Sequence, residues 1–395
     1  MNHKLIFPFA VNKNQNNAIV FDGVHDWGYT KDNTDYIDLS LGSCGCLPLG
    51  FQRKDFVENV QSKMLEFPFI SGEYLTTNKY AVELAERLYD LSGGYRSIFA
   101  TSGSDAIETA IKVAKNYQPA EKDVILGMRN SYHGSTYISS SIGDSSYLHK
   151  QYGRDPNCIT VEWDLTHIEY TMFKKRGQVL CLVIESCSWQ AGLHSYPDEW
   201  WIALRKLCDD YKVLLIIDDI AFCGAKTDSF FGFNKSIKPD IICAGKALSG
   251  GYYPLSACLV NNTLYDVIKE TRFSHGFSYS FNMSGIFSAL HYLNVIEQEH
   301  ILDNHLDVKQ HGIDMFKYLP TVRNYGLTWC IDVNINNKTE DEIFKLFLEN
   351  GLYLGIWNNP LVTKQILINF PNVINALYYT KLEERLQLTL EQLCG

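Results

Sequence analysis

The chain has 395 residues, 46% of them hydrophobic and 13% aromatic, with 35 Lys and Arg against 45 Asp and Glu for a net charge of -10. That length allows about two domains and a large core, and the composition excludes a disordered chain. The acidic balance without a basic run excludes nucleic acid or an anionic membrane as the main partner, and no stretch stays apolar for the roughly eighteen residues that span a bilayer.

Residues 1–45 read as irregular chain with short strands, Ala18–Phe21 and Tyr36–Leu39, between Asp and Asn turns, and are expected to pack beside the C-terminal part. The apolar piece Leu5–Val11 is short, broken by Pro8 and followed by Asn12-Lys13-Asn14; it does not read as a signal peptide, and a cytoplasmic location is expected. Cys44-Gly45-Cys46 invites a metal or redox reading, but no second pair stands at zinc-site spacing, so no metal is expected. The eleven cysteines are scattered. Cys181, Cys243 and Cys258 lie inside apolar runs, where cysteine acts as a small hydrophobe, the pattern of a reducing compartment.

Helical spacing follows over Phe51–Glu66 and Thr77–Leu91. Tyr95–Ala100 then reads as a strand, and Thr101-Ser-Gly-Ser-Asp as the turn into a helix reaching Lys115. Gly103 allows close backbone approach, Ser104 is the expected cap, and Asp105 and Glu108 suit the first turn. Such an N-terminus suits a phosphate, although an ordinary capped helix carries the same signature. Val124–Met128 is a buried strand that leads to Tyr132-His133-Gly134, where an aromatic could stack on a planar ring or simply pack in the core. Leu182–Ile184 leads to Glu185, then to Trp189 and Gly192 and a helix over Glu199–Tyr211. Val213–Ile217 ends in Asp218-Asp219, and Asp240–Ala244 ends in Gly245-Lys246.

These Val-, Ile- and Leu-rich runs lack polar alternation, which points to parallel strands buried on both faces of an α/β sheet. Ligands sit beyond the carboxyl ends of such strands. Singly, a lysine there is commonly a solvated strand end and an Asp pair a helix cap. Jointly, Asp218 could hold a ring nitrogen protonated and Lys246 form an imine with an aldehyde, the two groups pyridoxal phosphate requires. Farther on come Leu255–Leu259, a helical pattern over Gly285–Glu299, helices over Thr339–Asn350 and Lys381–Leu393, and short strands near Leu327–Val333 and Gln365–Ile368. The expected division is residues 1–45 as part of a small domain, 46–284 as the large domain and 285–395 as the C-terminal small domain.

The motifs resemble those of the class III aminotransferases, pyridoxal-phosphate enzymes of the aspartate-aminotransferase-like fold type I. Thr101-Ser-Gly-Ser-Asp-Ala-Ile-Glu is similar to the phosphate loop, Tyr132-His133-Gly134 to the ring-stacking motif, and Ile217-Asp218-Asp219-Ile220 to the Asp-Glu-Val signature. Gly245-Lys246-Ala-Leu-Ser-Gly-Gly is similar to the lysine segment, and Ser274-His275-Gly276-Phe-Ser278-Tyr279 to the segment that reaches a neighbouring subunit. The resemblance implies a large, mixed but mostly parallel sheet domain with a smaller α+β domain. It implies a transaminase that moves an amino group between an amine or amino-acid donor and a ketone, aldehyde or 2-oxo acid acceptor. Lys246 would be the Schiff-base lysine and proton shuttle, Asp218 the partner of the pyridinium nitrogen, and Glu185 a support behind Asp218. Tyr132 and Ile220 would cover the two ring faces, with His133 in the same motif. Gly103 and Ser104 would hold the phosphate, joined by the partner's Ser278 in a homodimer with its sites at the interface. An aminomutase on the same scaffold, or a catalytically silent pyridoxal-phosphate-binding protein, would keep these residues too.

The sequence departs from the family pattern at Ser186, Asp219, Cys223 and Lys226, where Pro, Glu, Gly and Arg are usual, and Trp189 replaces a small residue. Leu367 stands near the position of an Arg that grips an α-carboxylate, and Gly355 falls where a switchable Arg stands in the amine–pyruvate-like members. Loss of a bidentate clamp weakens binding of ordinary 2-amino acids. The expected substrate is therefore an amine, an ω-amino compound or a larger biosynthetic intermediate.

Overall fold

The computed structural model describes residues 5–6, 8, 18–72, 74–319, 321–332, 338–354, 365–373 and 375–394. Its centre is a seven-stranded sheet in the spatial order Arg96–Ala100, Ser256–Val260, Ile241–Ala244, Leu214–Asp218, Val179–Glu185, Val124–Met128, Cys158–Val161. The last five of these pair in parallel. Ser256–Val260 runs against both its neighbours. The sheet is thus mixed and mostly parallel.

The unbroken apolar runs have a direct cause in the packing. Leu182, Ile184, Leu215, Ile217 and Ile242 face one side and join Phe56, Leu84, Trp201 and Phe287 in one core. The alternate residues Cys181, Val183, Ile216, Ile241 and Cys243 face the other and join Ala106, Ile107 and Ala110 in a second. Both faces are covered by helices, so no position along these strands favours a polar side chain. The helices Lys54–Glu66 and Lys79–Ser92 pack with the long helix Met283–Gln298.

A third core gathers Ile37 and Leu39 with Trp329, Phe347, Ile366, Ile368 and Leu382 from the C-terminal part. Thr34–Asp38 pairs in parallel with Leu352–Tyr353, and Val322–Tyr325, Thr328–Asp332 and Gln365–Asn369 form an antiparallel sheet. The expected strand Ala18–Phe21 is absent; the first ladder begins at Gly23–His25. Phe21 stacks on Tyr29 with ring centroids 4.6 Å apart, so its apolar signal reflects ring packing rather than a ladder.

Candidate active site

Five strand ends of the large sheet converge on a cavity of about 220 Å³, lined among others by Ser104, Tyr132, Glu185, Trp189, Asp218 and Lys246. The strands ending at Glu185 and Asp218 are neighbours in parallel register, Glu185 opposite Asp218. The strand before Lys246 pairs on the other side, Asp218 opposite Cys243. Two carboxylates and an amine therefore arrive at one edge because three adjacent strands stop at the same level.

Asp218 is held from two directions. His133 Nδ1 lies 2.8 Å from its Oδ2, and Ile220 N donates to its Oδ1 at 3.1 Å. Glu185 stands beside Asp218 and not behind it. Burial, with the Asp218 charge added, pushes the Glu185 carboxyl well above the usual carboxylate range. Among the described residues, Glu185 Oε2 and His133 Nε2 are buried with no hydrogen-bond partner. Asp219 points away from the cavity into the core; it accepts from Ser186 Oγ and from Gly232 N at 2.9 Å. Two departures from the family pattern thus meet, the Ser186 hydroxyl reaching the Asp219 carboxylate.

Lys246 adopts a left-handed backbone, φ +46°, immediately after Gly245. That conformation is costly for a residue with a Cβ and clusters at functional sites. Burial alone would lower the affinity of Nζ for its proton, but the acidic groups around it, Cys44 first and then Cys46, Asp218 and Glu185, outweigh burial and raise it. Cys223 Sγ donates to Gly245 O at 3.1 Å and so steadies the residue before the lysine. A second lysine, Lys226, is buried nearby with Nζ 3.0 Å from Gly45 O. Burial, with Lys246 adding to it, brings its pKa down to about 8. Trp189 lies close to both amines, 5.4 Å from Lys246 Nζ and 5.8 Å from Lys226 Nζ to the ring centroid.

The phosphate-type helix is Gly103–Tyr117, and its cap is Ser102 rather than Ser104. Ser102 has the extended backbone a cap needs, and its Oγ accepts from Asp105 N at 3.2 Å. Ser104 already lies in the first turn, where its Oγ accepts from Ser135 N at 3.1 Å. The first amide hydrogens of a helix have no partner inside it, and Gly103 and Ser104, which begin this helix, both line the cavity. Glu108 serves the neighbouring helix instead of its own, accepting from Ile138 N at 3.0 Å and from Thr136 Oγ1 at 2.6 Å.

Pyridoxal phosphate fits this donor set. Asp218 matches a ring N–H, Lys246 an aldehyde carbon, and the amides of Gly103 and Ser104 a phosphate. Tyr132 and Ile220 line the same cavity, and two orphaned buried polar atoms lie within its wall. A Cβ on Gly103 would stand 3.0 Å from Ile220 Cδ1, so the glycine lets Ile220 pack closely against this turn. Ser278 is the one expected site residue that the single chain leaves away from the cavity; it is exposed, in the segment that His275 ties to Thr109 at 2.8 Å. Leu367 is buried beside Trp189, Phe222 and Leu193 in an apolar cluster, and Gly355 lies outside the described residues. Cys44, Gln190 and Ala221 also line the cavity. Sequence reasoning gave Cys44 no place there, because its segment folds back from the other part of the chain.

A family model described as aminotransferase class III matches residues 9–370. The chain is similar to putrescine–pyruvate aminotransferase of Pseudomonas aeruginosa, with 25% identity over 90% of this chain and 87% of that protein. It is also similar to adenosylmethionine-8-amino-7-oxononanoate aminotransferase of Staphylococcus aureus, with 27% identity over 74% of this chain and 75% of that protein. In fold it matches a transaminase from the marine bacterium Virgibacillus, with a TM-score of 0.89 and 20% identity over 99% of this chain and 97% of that one. These matches give no support to the aminomutase or silent-binder alternatives.

Proposed function

This chain belongs to the class III aminotransferases, and from that premise we propose what its own residues do and which substrates it takes. Its fold is the fold type I of pyridoxal-phosphate transferases and its activity is pyridoxal-phosphate-dependent transamination. When bound, the cofactor supplies an electrophilic carbon and a ring that accepts charge from a substrate carbon losing its proton. Lys246 Nζ, in its uncharged amine form, would be the group that carries that proton. Asp218, fixed by His133 and the Ile220 amide, keeps the ring nitrogen protonated. Gly103 and Ser104 would hold the phosphate, and Tyr132 and Ile220 would contact the ring; all four line the cavity. Glu185, whose carboxyl burial and the neighbouring Asp218 push up, would stand beside Asp218 on the cofactor side of the cavity. The observation that carries this reading is the delivery of Asp218 and Lys246 to one cavity by adjacent strands.

For the substrate we infer an amine or ω-amino donor in preference to a 2-amino acid. The position near which the family keeps an Arg is buried leucine in an apolar cluster. Among the described residues, two cations near that cluster are committed: Lys226 donates to Gly45 O, and Arg323 grips both oxygens of Asp332 at 2.8 and 2.7 Å. The relative named for putrescine and pyruvate fits this preference on the donor side alone, pairing an amine with a 2-oxo acid. Rates with primary amines and ω-amino acids, set against alanine and glutamate, test it. Comparable turnover of all of them would overturn the substrate assignment and leave transamination standing.

A homodimer completes the site in this reading, with the partner's Ser278 joining the phosphate. Exposed apolar side chains at Phe69, Tyr74, Leu75 and Tyr279 support such an interface. Ten cysteines, Cys394 not among them, are free thiols, in keeping with a reducing compartment such as the cytoplasm. Among the described residues no helix is long and apolar enough to cross a membrane.

A further inference from the structure

We propose that Cys44 and Cys46 are an oxidation site in the wall of the active-site cavity, closing to a reversible disulfide when a peroxide reaches them. The two sulfurs already lie 3.4 Å apart. A disulfide needs about 2.05 Å, so the remaining approach is roughly 1.4 Å.

The turn that carries them is built to keep both side chains on one side. Asp38 anchors its start, accepting from Ser40 N at 2.8 Å, Ser40 Oγ at 2.6 Å and Gly42 N at 2.7 Å. Gly45, between the two cysteines, has a left-handed backbone at φ +71°, and its carbonyl accepts from Lys226 Nζ. A side chain at position 45 would meet that ammonium, its Cβ standing 2.7 Å from Nζ. Both cysteines are partly accessible, and Cys44 faces the cavity that holds Lys246.

The surroundings also favour the reactive form. The hydrogen bond from Cys46 holds the Cys44 thiol below its usual value against the opposing effect of burial, with Lys246 and Lys226 adding to it. A partly exposed thiolate beside ammonium groups is the reactive state of cysteine. The thiolate of Cys44 attacks one peroxide oxygen and breaks the O–O bond; the departing hydroxide takes a proton, leaving a sulfenic acid. Cys46 sulfur then attacks Cys44 sulfur and expels the second oxygen as water. Two thiols and one hydrogen peroxide give one disulfide and two waters. The bond removes a negative sulfur from beside Lys246 and ties the cavity wall in place.

A built-in contrast lies in the sheet. Cys243 and Cys258 stand opposite each other on neighbouring strands, but both are 0% exposed, so peroxide should not reach them.

The test is intact-mass and peptide-mass measurement of the full chain, with and without pyridoxal phosphate, after hydrogen peroxide at a dose that oxidises glutathione in the same tube. The expected result is loss of two hydrogens in the peptide holding Cys44 and Cys46, reversed by dithiothreitol and absent in both Cys44→Ser and Cys46→Ser. Oxygen added at Cys44 while Cys46 remains free to alkylate would overturn the proposal. So would an unchanged mass, or a loss of two hydrogens that persists in Cys44→Ser. Mass reports the bond whether or not the cofactor or substrate assignments hold, so this test fails separately from theirs.

Discussion

His133 Nδ1 stands 2.8 Å from Asp218 Oδ2, with the imidazole side chain fully buried and the carboxylate 6% exposed. A charge in so dry a place needs its hydrogen bonds, and a bond to a charged acceptor is worth more than one between neutral groups. His133→Ala leaves Asp218 with the Ile220 amide alone and should weaken pyridoxal-phosphate binding roughly 10–100-fold. Titration of the apoprotein, followed by cofactor absorbance, measures it. Unchanged affinity would show that Asp218 is aligned by something else.

Lys246→Ala should still bind the cofactor but lose its covalent attachment. Borohydride treatment of the parent is expected to leave cofactor mass on the peptide carrying Lys246, and none on any peptide of the variant. Mass retained at another lysine, Lys226 being the nearest alternative, would refute the assignment.

Asp219 gives stability a pH dependence whose sign comes from its environment. Burial pushes its carboxyl up to about 7, although Ser186 and the Gly232 amide act to lower it. The folded state therefore holds this proton more tightly than the unfolded state does. The resulting stabilisation is complete below about pH 4 and is lost as pH rises through 7. Asp219→Asn cannot titrate. The difference in unfolding free energy between parent and variant should move by on the order of 4 kcal/mol between pH 4 and 8, to the parent's disadvantage at the higher pH. Urea unfolding at a series of pH values reads this out, and a constant difference would contradict it.

Gly251 backs the cysteine turn. Its φ is +81°, and a Cβ there would stand 2.1 Å from Cys46 O. Gly251→Ala combines left-handed strain with a clash against backbone, and should cost on the order of 3 kcal/mol. A urea midpoint equal to the parent's would mean that the turn moves freely.

The residues at strand ends are legible in the sequence because a doubly buried parallel strand leaves a plain mark. Each apolar run stops abruptly, at Glu185, at Asp218 and just before Gly245-Lys246. The cap is misjudged from sequence because Ser102 and Ser104 have the same chemistry, and only backbone conformation separates them. The pairing of Ser186 with Asp219 is invisible there because it joins loops after different strands, each residue reading alone as a departure. The place of Cys44 depends on how the N-terminal segment returns to the large sheet, a long-range contact that no local pattern encodes. Ala18–Phe21 misleads because stacked rings and a paired strand draw on the same residue types.

The left-handed backbone of Lys246 has a consequence for how this protein would respond to engineering. Glycine occupies that conformation without a Cβ penalty. A search for hardier variants, scored on foldedness alone, is therefore drawn toward Lys246→Gly, which relaxes the chain and discards its reactive amine. Resistance to heat and capacity for chemistry pull against each other at this one peptide unit.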